Sequence, residues 1–315
     1  MKNILITGAS GYLGNLLVAE LSQRKEELGI ENLVATDVRK LPKDLPGVIF
    51  EILDVRDPVC AEIFNKHKID CVIHLASIVT PGKKSSREFE YSVDVQGTST
   101  ILKACVKSKV KRIIVSSSGA AYGYTEQNNQ ILTEESKLCG NYEFAYSYHK
   151  RLVEEELKVY RELHPELEQV IFRISTILGE NVNNQITDLF KKKVQIGLWG
   201  TDIRFSIIWD MDAVGALVHS ISNSPAGIYN LAGDGFVTIS ERAEIMEKSI
   251  ISLPPGLIKF GLGILKFLGL SQYGPEQTRF LQYRPVLDNS KLKNKFGYMP
   301  QKTSRENFLD FAKRL

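Results

Sequence analysis

Apolar and polar residues fall into short blocks along the first 175 residues. Lys2-Asn3-Ile4-Leu5-Ile6-Thr7 is an apolar run of the length of a buried strand. Residues 15–28 follow as a helix, with Leu16, Leu17, Ala19, Leu21 and Leu28 as its apolar positions. A second run, Asn32-Leu33-Val34-Ala35-Thr36, ends at Asp37. The alternation then repeats. Strands are predicted over 47–53, 70–76, 111–118 and 168–175, and helices over 58–67, 88–109 and 143–164. Pro165 stops the last helix, and 41–46 and 80–86 read as surface loops. Six strands separated by helices demand parallel pairing, with crossover helices on both faces of one sheet. Such sheets bind ligands at the carboxyl ends of their strands, where Asp37, Asp54, Ala76, Ser118 and Ser175 fall.

The texture changes near residue 180. Residues 181–184 form an asparagine-rich loop, a plausible cover for the site. A strand over 205–208 and a helix over 212–222 return to the first domain, and the remainder builds a smaller lobe. Residues 1–178, joined by 205–231, are therefore expected to form one domain. Residues 179–204 and 232–315 are expected to form a substrate-binding lobe. The segment 253–270 has a broad apolar face, with Lys259 and Lys266 on the other side. Its two prolines, four glycines and two lysines argue against a membrane-spanning helix. A helix packed into the lobe is the favoured reading. A membrane-surface helix, or a lid over an apolar substrate, is the alternative.

The turn after the first strand reads Thr7-Gly8-Ala9-Ser10-Gly11-Tyr12-Leu13-Gly14. Glycines at this spacing between a strand and a helix let the backbone approach a pyrophosphate, facing the helix's free N–H groups and positive end. Asp37, at the tip of the next strand, is placed to accept hydrogen bonds from a ribose diol. These features predict a Rossmann-type, doubly wound α/β domain that binds a dinucleotide. The Asp37 charge favours NAD over NADP, although Arg39 is a residue able to accommodate a 2′-phosphate. A glycine loop that only turns the chain is the simpler alternative, and the strand, helix and acid around it weigh against that.

Composition narrows the field. The 315 residues carry 40 basic and 37 acidic side chains, a net charge of +3, with no basic concentration of the kind that binds nucleic acid. Cys60, Cys71, Cys105 and Cys139 are widely spaced and read as reduced thiols of a cytoplasmic protein. The amino-terminal apolar run is broken by Gly8 and lacks a signal-peptide layout. No metal site is expected. Lys191-Lys192-Lys193 reads as a solvated helix end.

Tyr146 and Lys150 lie four apart on the helix that follows the Ser118 strand, so they share a helix face. A free tyrosine, with a pKa of roughly 10, is a poor base at neutral pH. A neighbouring ammonium favours its phenolate, which then exchanges a proton with a substrate hydroxyl while hydride moves to or from a nicotinamide. Ser118 is placed to hold the same oxygen. Tyr298 and Lys302 have the same spacing, but Pro300 separates them and they are assigned no role. His149 points away from the Lys150 face and is expected to be structural or solvated. His74 is expected to be packed. His67, His164 and His219 show no partner pattern.

Together these residues resemble the extended short-chain dehydrogenase/reductase family, which includes the NAD-dependent sugar-nucleotide epimerases and dehydratases. The loop from Thr7 to Gly14 matches its T-G-x-x-G-x-x-G, and Tyr146 to Lys150 its Y-x-x-x-K. Leu53-Asp54-Val55 resembles the segment with its adenine-contacting acid, and His74-Leu75-Ala76-Ser77 resembles H-L-A-A. Ser116-Ser117-Ser118 with Tyr122-Gly123 resembles S-S-S-x-x-x-Y-G. Gly227-Ile228-Tyr229-Asn230-Leu231, and the run from Asp288 to Pro300, resemble later family segments.

The resemblance implies Ser118, Tyr146 and Lys150 as catalytic residues. It implies NAD held by Gly8, Ser10, Gly11, Tyr12, Leu13, Gly14, Asp37, Asp54, Val55, Leu75, Ala76, Ser77, Tyr146 and Lys150. Ser118, Gly119, Thr176, Asn181 and Arg204 are the candidate substrate contacts. A homodimer formed through 88–109 and 143–164 is also implied. The expected activity is that of a UDP-glucose 4-epimerase-like enzyme on a nucleotide-sugar hydroxyl. Net oxidation or reduction of an apolar carbinol or ketone is the alternative, and a non-catalytic nucleotide-binding protein is a third reading.

Several positions depart from the family. Thr176 stands where UDP-galactose-type epimerases carry asparagine, Phe205 where an arginine is usual, and Asp94 where many members have asparagine. Gly119-Ala120 replace the Asp-Glu pair of the 4,6-dehydratases, which discounts water elimination.

Overall fold

The computed structural model describes residues 2–80, 82, 85–221, 224–268 and 274–314. Its centre is a seven-stranded sheet in the spatial order Gly227–Leu231, Glu168–Ile174, Arg112–Ser118, Cys71–His74, Lys2–Thr7, Ile30–Asp37, Val48–Ile52. Every neighbouring pair is parallel. The order reverses beside the first strand, the topology that opens a ligand crevice at the strands' carboxyl ends.

The strands alternate between two cores. Ile4 and Ile6 pack with Leu17, Val18 and Leu21 of the helix Tyr12–Gln23 and with Val214 and Leu217 of the helix Asp210–Ser220. Leu5 points the other way. It joins Phe64, Ile101, Leu102, Val153 and Leu157 from the helices Cys60–Lys66, Gly97–Lys107 and Ala145–Leu163. A period of two along a strand buried on both faces produces this division. Each such side chain contributes roughly 1.5–3 kcal/mol when fully buried.

The first helix starts at Tyr12 rather than at residue 15, because Gly11 is its N-cap and the Gly11 carbonyl accepts from the Asn15 amide. It stops at Gln23, five residues short of expectation, as the chain turns towards Gly29 at φ +63°. The helix predicted over 88–109 is broken. Arg87–Tyr91 leads into a π-helical turn, Ser92–Gln96, before Gly97–Lys107. The strand predicted over 205–208 is two short strands. Arg204–Phe205 pairs antiparallel with Val237–Thr238, and Ile207–Trp209 pairs parallel with Thr176–Leu178.

The remaining elements surround a separate core of Leu178, Phe190, Leu198, Ile203, Phe205, Val237, Phe308 and Phe311. The apolar segment forms the helix Pro255–Phe267, and its packing differs from the favoured expectation. Ile258 meets the lobe's core. Leu257, Phe260, Ile264 and Phe267 share one face and are exposed, Phe267 to 90%. Their i, i+3, i+7, i+10 spacing is helical, but the stripe faces outward. Residues 269 and 270 of that segment lie outside the described residues. No helix among the described residues is long and apolar enough to cross a membrane.

Candidate active site

The glycine loop is built for close approach. Gly8 has φ +69°, and a Cβ there would lie 2.7 Å from the Ala76 amide nitrogen. A Cβ on Gly14 would collide with the Gly8 carbonyl oxygen. Strand, loop and helix are thus in backbone contact, and the concavity that side chains would fill stays open for a pyrophosphate. The Asp37 carboxylate reaches into this loop. It accepts from the Ser10 amide at 3.0 Å and from the Arg39 amide at 3.0 Å. The Arg39 guanidinium itself is 71% exposed, with Nε 3.8 Å from Asp37. Tyr12 donates to Asp210 at 2.6 Å, which ties the loop to the returning helix Asp210–Ser220. Burial, reinforced by Asp210, raises the Tyr12 phenol well above its ordinary value.

The other candidate cofactor residues line the same rim. Leu75 and Ala76 follow the strand Cys71–His74 and donate to Thr7. Asp54 is gripped by the Arg56 guanidinium at 2.6–3.1 Å, which holds its carboxyl below the usual range. Val55 is buried against Gly97. The glycine cradle and the acid at its edge fit a dinucleotide.

The catalytic candidates come together at the end of the strand Arg112–Ser118. The Tyr146 phenol lies beside the Ser118 side chain, which accepts from the Ala120 amide at 3.1 Å. The Lys150 ammonium lies 5.6 Å from the Tyr146 ring centroid and donates to the Ser116 carbonyl at 2.8 Å. Burial raises the Tyr146 phenol, and the neighbouring Ser118 hydroxyl opposes it. Burial also lowers Lys150, against the attraction of Asp94 and Glu154. The arrangement is a buried lysine beside a buried phenol and a serine hydroxyl, which is suited to proton exchange at a substrate oxygen.

Behind it lies a buried network. Glu154, one turn beyond Lys150, accepts from Ser117 Oγ at 2.5 Å and from Arg173 Nε and Nη2 at 2.7–3.0 Å. Arg173 Nη1 donates to the Tyr122 hydroxyl at 2.9 Å and the Glu134 carbonyl at 2.8 Å. His74 is packed between Thr7 Oγ1 and Thr98 Oγ1, and burial pushes its imidazole down to about 3. His149 is buried against Asp94 rather than solvated. Tyr298 and Lys302 have separate partners, Asp212 and Asp310.

The candidate substrate residues are more dispersed. Gly119 is buried directly after Ser118. Thr176 Oγ1 accepts from Arg284 at 3.4 Å. The Asn181 main chain meets the Tyr12 hydroxyl, on the side of the glycine loop. Arg204 is engaged with the Asn128 and Asn129 carbonyls at 3.0 and 2.8 Å.

Two arginines with no motif around them stand out instead. Arg242 and Arg284 both pack on the Phe205 ring, at 4.1 and 4.4 Å from its centroid. Arg242 Nε and Nη1 and Arg284 Nη1 are buried without a hydrogen-bond partner. Burial, with Arg284 nearby, pushes Arg242 down to about 9, so it stays charged at neutral pH. Nearby, a cavity of about 500 Å³ is lined by Tyr124, Thr125, Glu126, Gln127, Lys259 and Arg279 among others. Among the described residues, no three His, Cys, Asp or Glu side chains are grouped to hold a metal ion.

A doubly wound sheet with a glycine cradle and a Ser-Tyr-Lys set at its rim defines a nucleotide-dependent oxidoreductase-type site. Residues 4–232 match the model of the NAD-dependent epimerase/dehydratase family, and the chain belongs to that family. An uncharacterized protein of Mycobacterium tuberculosis is 24% identical over 98% of this chain and 83% of its own length. A UDP-glucose 4-epimerase of Yersinia enterocolitica is 30% identical over 62% of each chain. The dTDP-glucose 4,6-dehydratase of Bacillus anthracis, solved in complex with NAD, superposes with a TM-score of 0.74 at 17% identity. That match covers 100% of this chain and 96% of the other.

Proposed function

We propose that this protein is an NAD-dependent epimerase or oxidoreductase acting on a hydroxyl of a nucleotide sugar by transient hydride transfer. The observation that carries the reading is the joint presence of two elements. One is the Tyr146 phenol beside Ser118, with the Lys150 ammonium 5.6 Å from its ring centroid. The other is a pair of buried guanidiniums with unpartnered donors at Phe205. Unpaired buried cations are costly, and an anionic diphosphate would satisfy them. The nearby cavity has a polar lining, and the exposed apolar stripe of the helix Pro255–Phe267 faces away from the lobe's core, which favours a sugar over an apolar carbinol.

In this reading residues 1–178 with 205–231 hold the cofactor, and 179–204 with 232–315 hold the substrate. NAD supplies a hydride acceptor and donor when bound. Gly8, Gly11 and Gly14 admit its pyrophosphate, and Asp37 selects a ribose without a 2′-phosphate. Asp54, Val55, Leu75, Ala76 and Ser77 complete its rim. Ser118 holds the reacting substrate oxygen, Tyr146 takes and returns its proton, and Lys150 favours the phenolate. Arg284, with Thr176 beside it, meets the diphosphate. Gly119 and Ala120 bring no carboxylate after Ser118, so epimerisation is favoured over water elimination. The protein acts in the cytoplasm as a homodimer through 88–109 and 143–164.

The test is to denature freshly purified protein and identify the released nucleotide, then to incubate it with UDP- and dTDP-hexoses and follow the sugar stereocentres by NMR. Retained NAD with epimer formation supports the reading. Exchangeable cofactor with stoichiometric NADH change points to a net dehydrogenase. Failure to bind any nucleoside diphosphate sugar overturns the substrate class.

A further inference from the structure

Positive charge is unevenly placed along this chain. Residues 189–201 and 248–268 hold six lysines and no acidic residue, whereas the whole chain is only +3, so everything else is net negative. The two segments meet in the structure. Val194–Leu198 and Ser249–Leu253 pair as a parallel two-stranded sheet, with Val194 opposite Ser249 and Ile196 opposite Ile251. Lys248 donates to the Phe190 carbonyl at 2.8 Å, which sets it beside the exposed run Lys191-Lys192-Lys193. Four cations therefore gather at the start of this sheet. Its outward face is apolar, with Ile196 47% and Ile251 52% exposed. The Trp199 side chain is also exposed, and its amide donates to the Leu253 carbonyl at 3.1 Å, two residues ahead of the helix Pro255–Phe267. That helix presents the stripe of Leu257, Phe260, Ile264 and Phe267 to solvent. Lys259 and Lys266 each precede a phenylalanine of the stripe and stand about 100° round the helix from it.

We propose that this face docks the protein on an anionic phospholipid surface. The apolar stripe and Trp199 enter the headgroup boundary, and the lysines meet lipid phosphates. Exposed aromatic and aliphatic side chains with lysines around them suit that boundary. A side chain as exposed as Phe267 stands clear of its own lobe, ready to insert. A second copy of the chain would set lysines against lysines, which repel. A bilayer with negative headgroups offers the opposite sign, and its attraction is strongest at the surface and screened by salt. The association is peripheral, because no helix among the described residues is long and apolar enough to cross a membrane. Docking of this kind is independent of what is turned over at Tyr146.

Sedimentation of the full chain with sucrose-loaded vesicles tests this, using phosphatidylcholine alone and equal parts of phosphatidylcholine and phosphatidylglycerol. The protein should pellet with the second and stay in solution with the first, and added salt should release it. Lys192→Gln with Lys193→Gln should weaken the partition about tenfold. Phe260→Ser with Phe267→Ser should weaken it about tenfold or more while leaving the charge intact. All four side chains are exposed, and circular dichroism checks that each variant is folded. Trp199 emission should move to shorter wavelength on the anionic vesicles, a change absent from Trp199→Phe. Failure of the parent to pellet with anionic vesicles overturns the proposal. So does equal pelleting of the parent and both double variants, which puts the contact elsewhere. Unchanged Trp199 emission in vesicle-bound protein also overturns it, and that measurement needs no variant of the helix. Self-association in lipid-free buffer, seen by analytical ultracentrifugation and abolished by Phe260→Ser with Phe267→Ser, assigns the face to a second copy instead.

Discussion

The Glu154–Arg173 pair allows a quantitative test of what holds the helix Ala145–Leu163 in place. Glu154 is 4% exposed and Arg173 3%. Their contact is bidentate at 2.7–3.0 Å, and Ser117, next to Ser118, donates to the same carboxylate. Glu154→Gln keeps the shape and removes the charge. Arg173 retains Tyr122 and the Glu134 carbonyl, but its guanidinium becomes a buried cation without a counter-ion. Breaking one side of a buried pair costs about 3–5 kcal/mol. For 315 residues, an unfolding entropy near 2.1 cal/mol/K per residue converts this to a fall in Tm of about 5–8 °C. Replacing both partners, as in Glu154→Leu with Arg173→Met, removes the desolvation cost together with the attraction. That double variant should return to within about 1–2 kcal/mol of the parent. Urea and thermal unfolding followed by circular dichroism measure all three proteins. A Glu154→Gln loss below about 1 kcal/mol, or a double variant no better than the single, would refute the claim that this pair anchors the helix.

Other perturbations have equally definite outcomes. Tyr146→Phe should reduce kcat by about 10²–10⁴-fold while NAD binding, measured by calorimetry, stays near the parent's. Asp37→Ser should narrow the preference for NAD over NADP, read as the ratio of their dissociation constants, since it removes the charge that repels a 2′-phosphate. His74 is neutral in the folded protein down to about pH 3, whereas in the unfolded chain it titrates near 6.5. Its contribution is therefore complete above that value and is lost as pH falls towards 3. Between pH 7 and 5 the parent should lose about 2 kcal/mol through this residue. Urea midpoints of His74→Gln should show a correspondingly shallower decline. Arg284→Leu should raise KM for the nucleotide sugar by one to two orders of magnitude with little change in NAD binding, as expected for a charged hydrogen bond of about 1.5–3 kcal/mol.

The first half of the chain was legible because its signals are local. An apolar run, a glycine turn and an acid after the next strand are adjacent in sequence, and the parallel order of the sheet follows from the alternation. Errors there concern helix ends. Gly11 starts the first helix three residues early, and the π turn at Asp94 interrupts a helix whose apolar pattern runs through it. The second lobe was harder to read. Its strands are two to five residues long and pair with distant segments, Arg204–Phe205 with Val237–Thr238 and Val194–Leu198 with Ser249–Leu253. Arg242 left no trace either, since it sits on a short helix in an ordinary polar context, and the Phe190 and Phe205 rings it packs on are distant in sequence. The exposed face of Pro255–Phe267 failed for the opposite reason. Its periodicity was plain, but periodicity shows that a face is apolar and not what covers it.

The departures from family pattern become coherent once the arginines are placed. The position where an arginine is usual holds Phe205, and Arg204 beside it is occupied with the Asn128 and Asn129 carbonyls. Positive charge is nevertheless present at that point of the lobe, because Phe205 is the surface on which Arg242 and Arg284 both rest. Two like charges packed on one apolar ring repel each other, and three of their nitrogens lack hydrogen-bond partners, so the arrangement is least stable when empty. An anion entering between the cleft and this ring gains two charged donors and relieves that repulsion. The same substrate would then be held at its diphosphate by the second lobe and at its hydroxyl by Ser118 and Tyr146 on the first. Sugar identity would fall to polar residues such as Tyr124, Thr125, Glu126 and Gln127, which line the cavity.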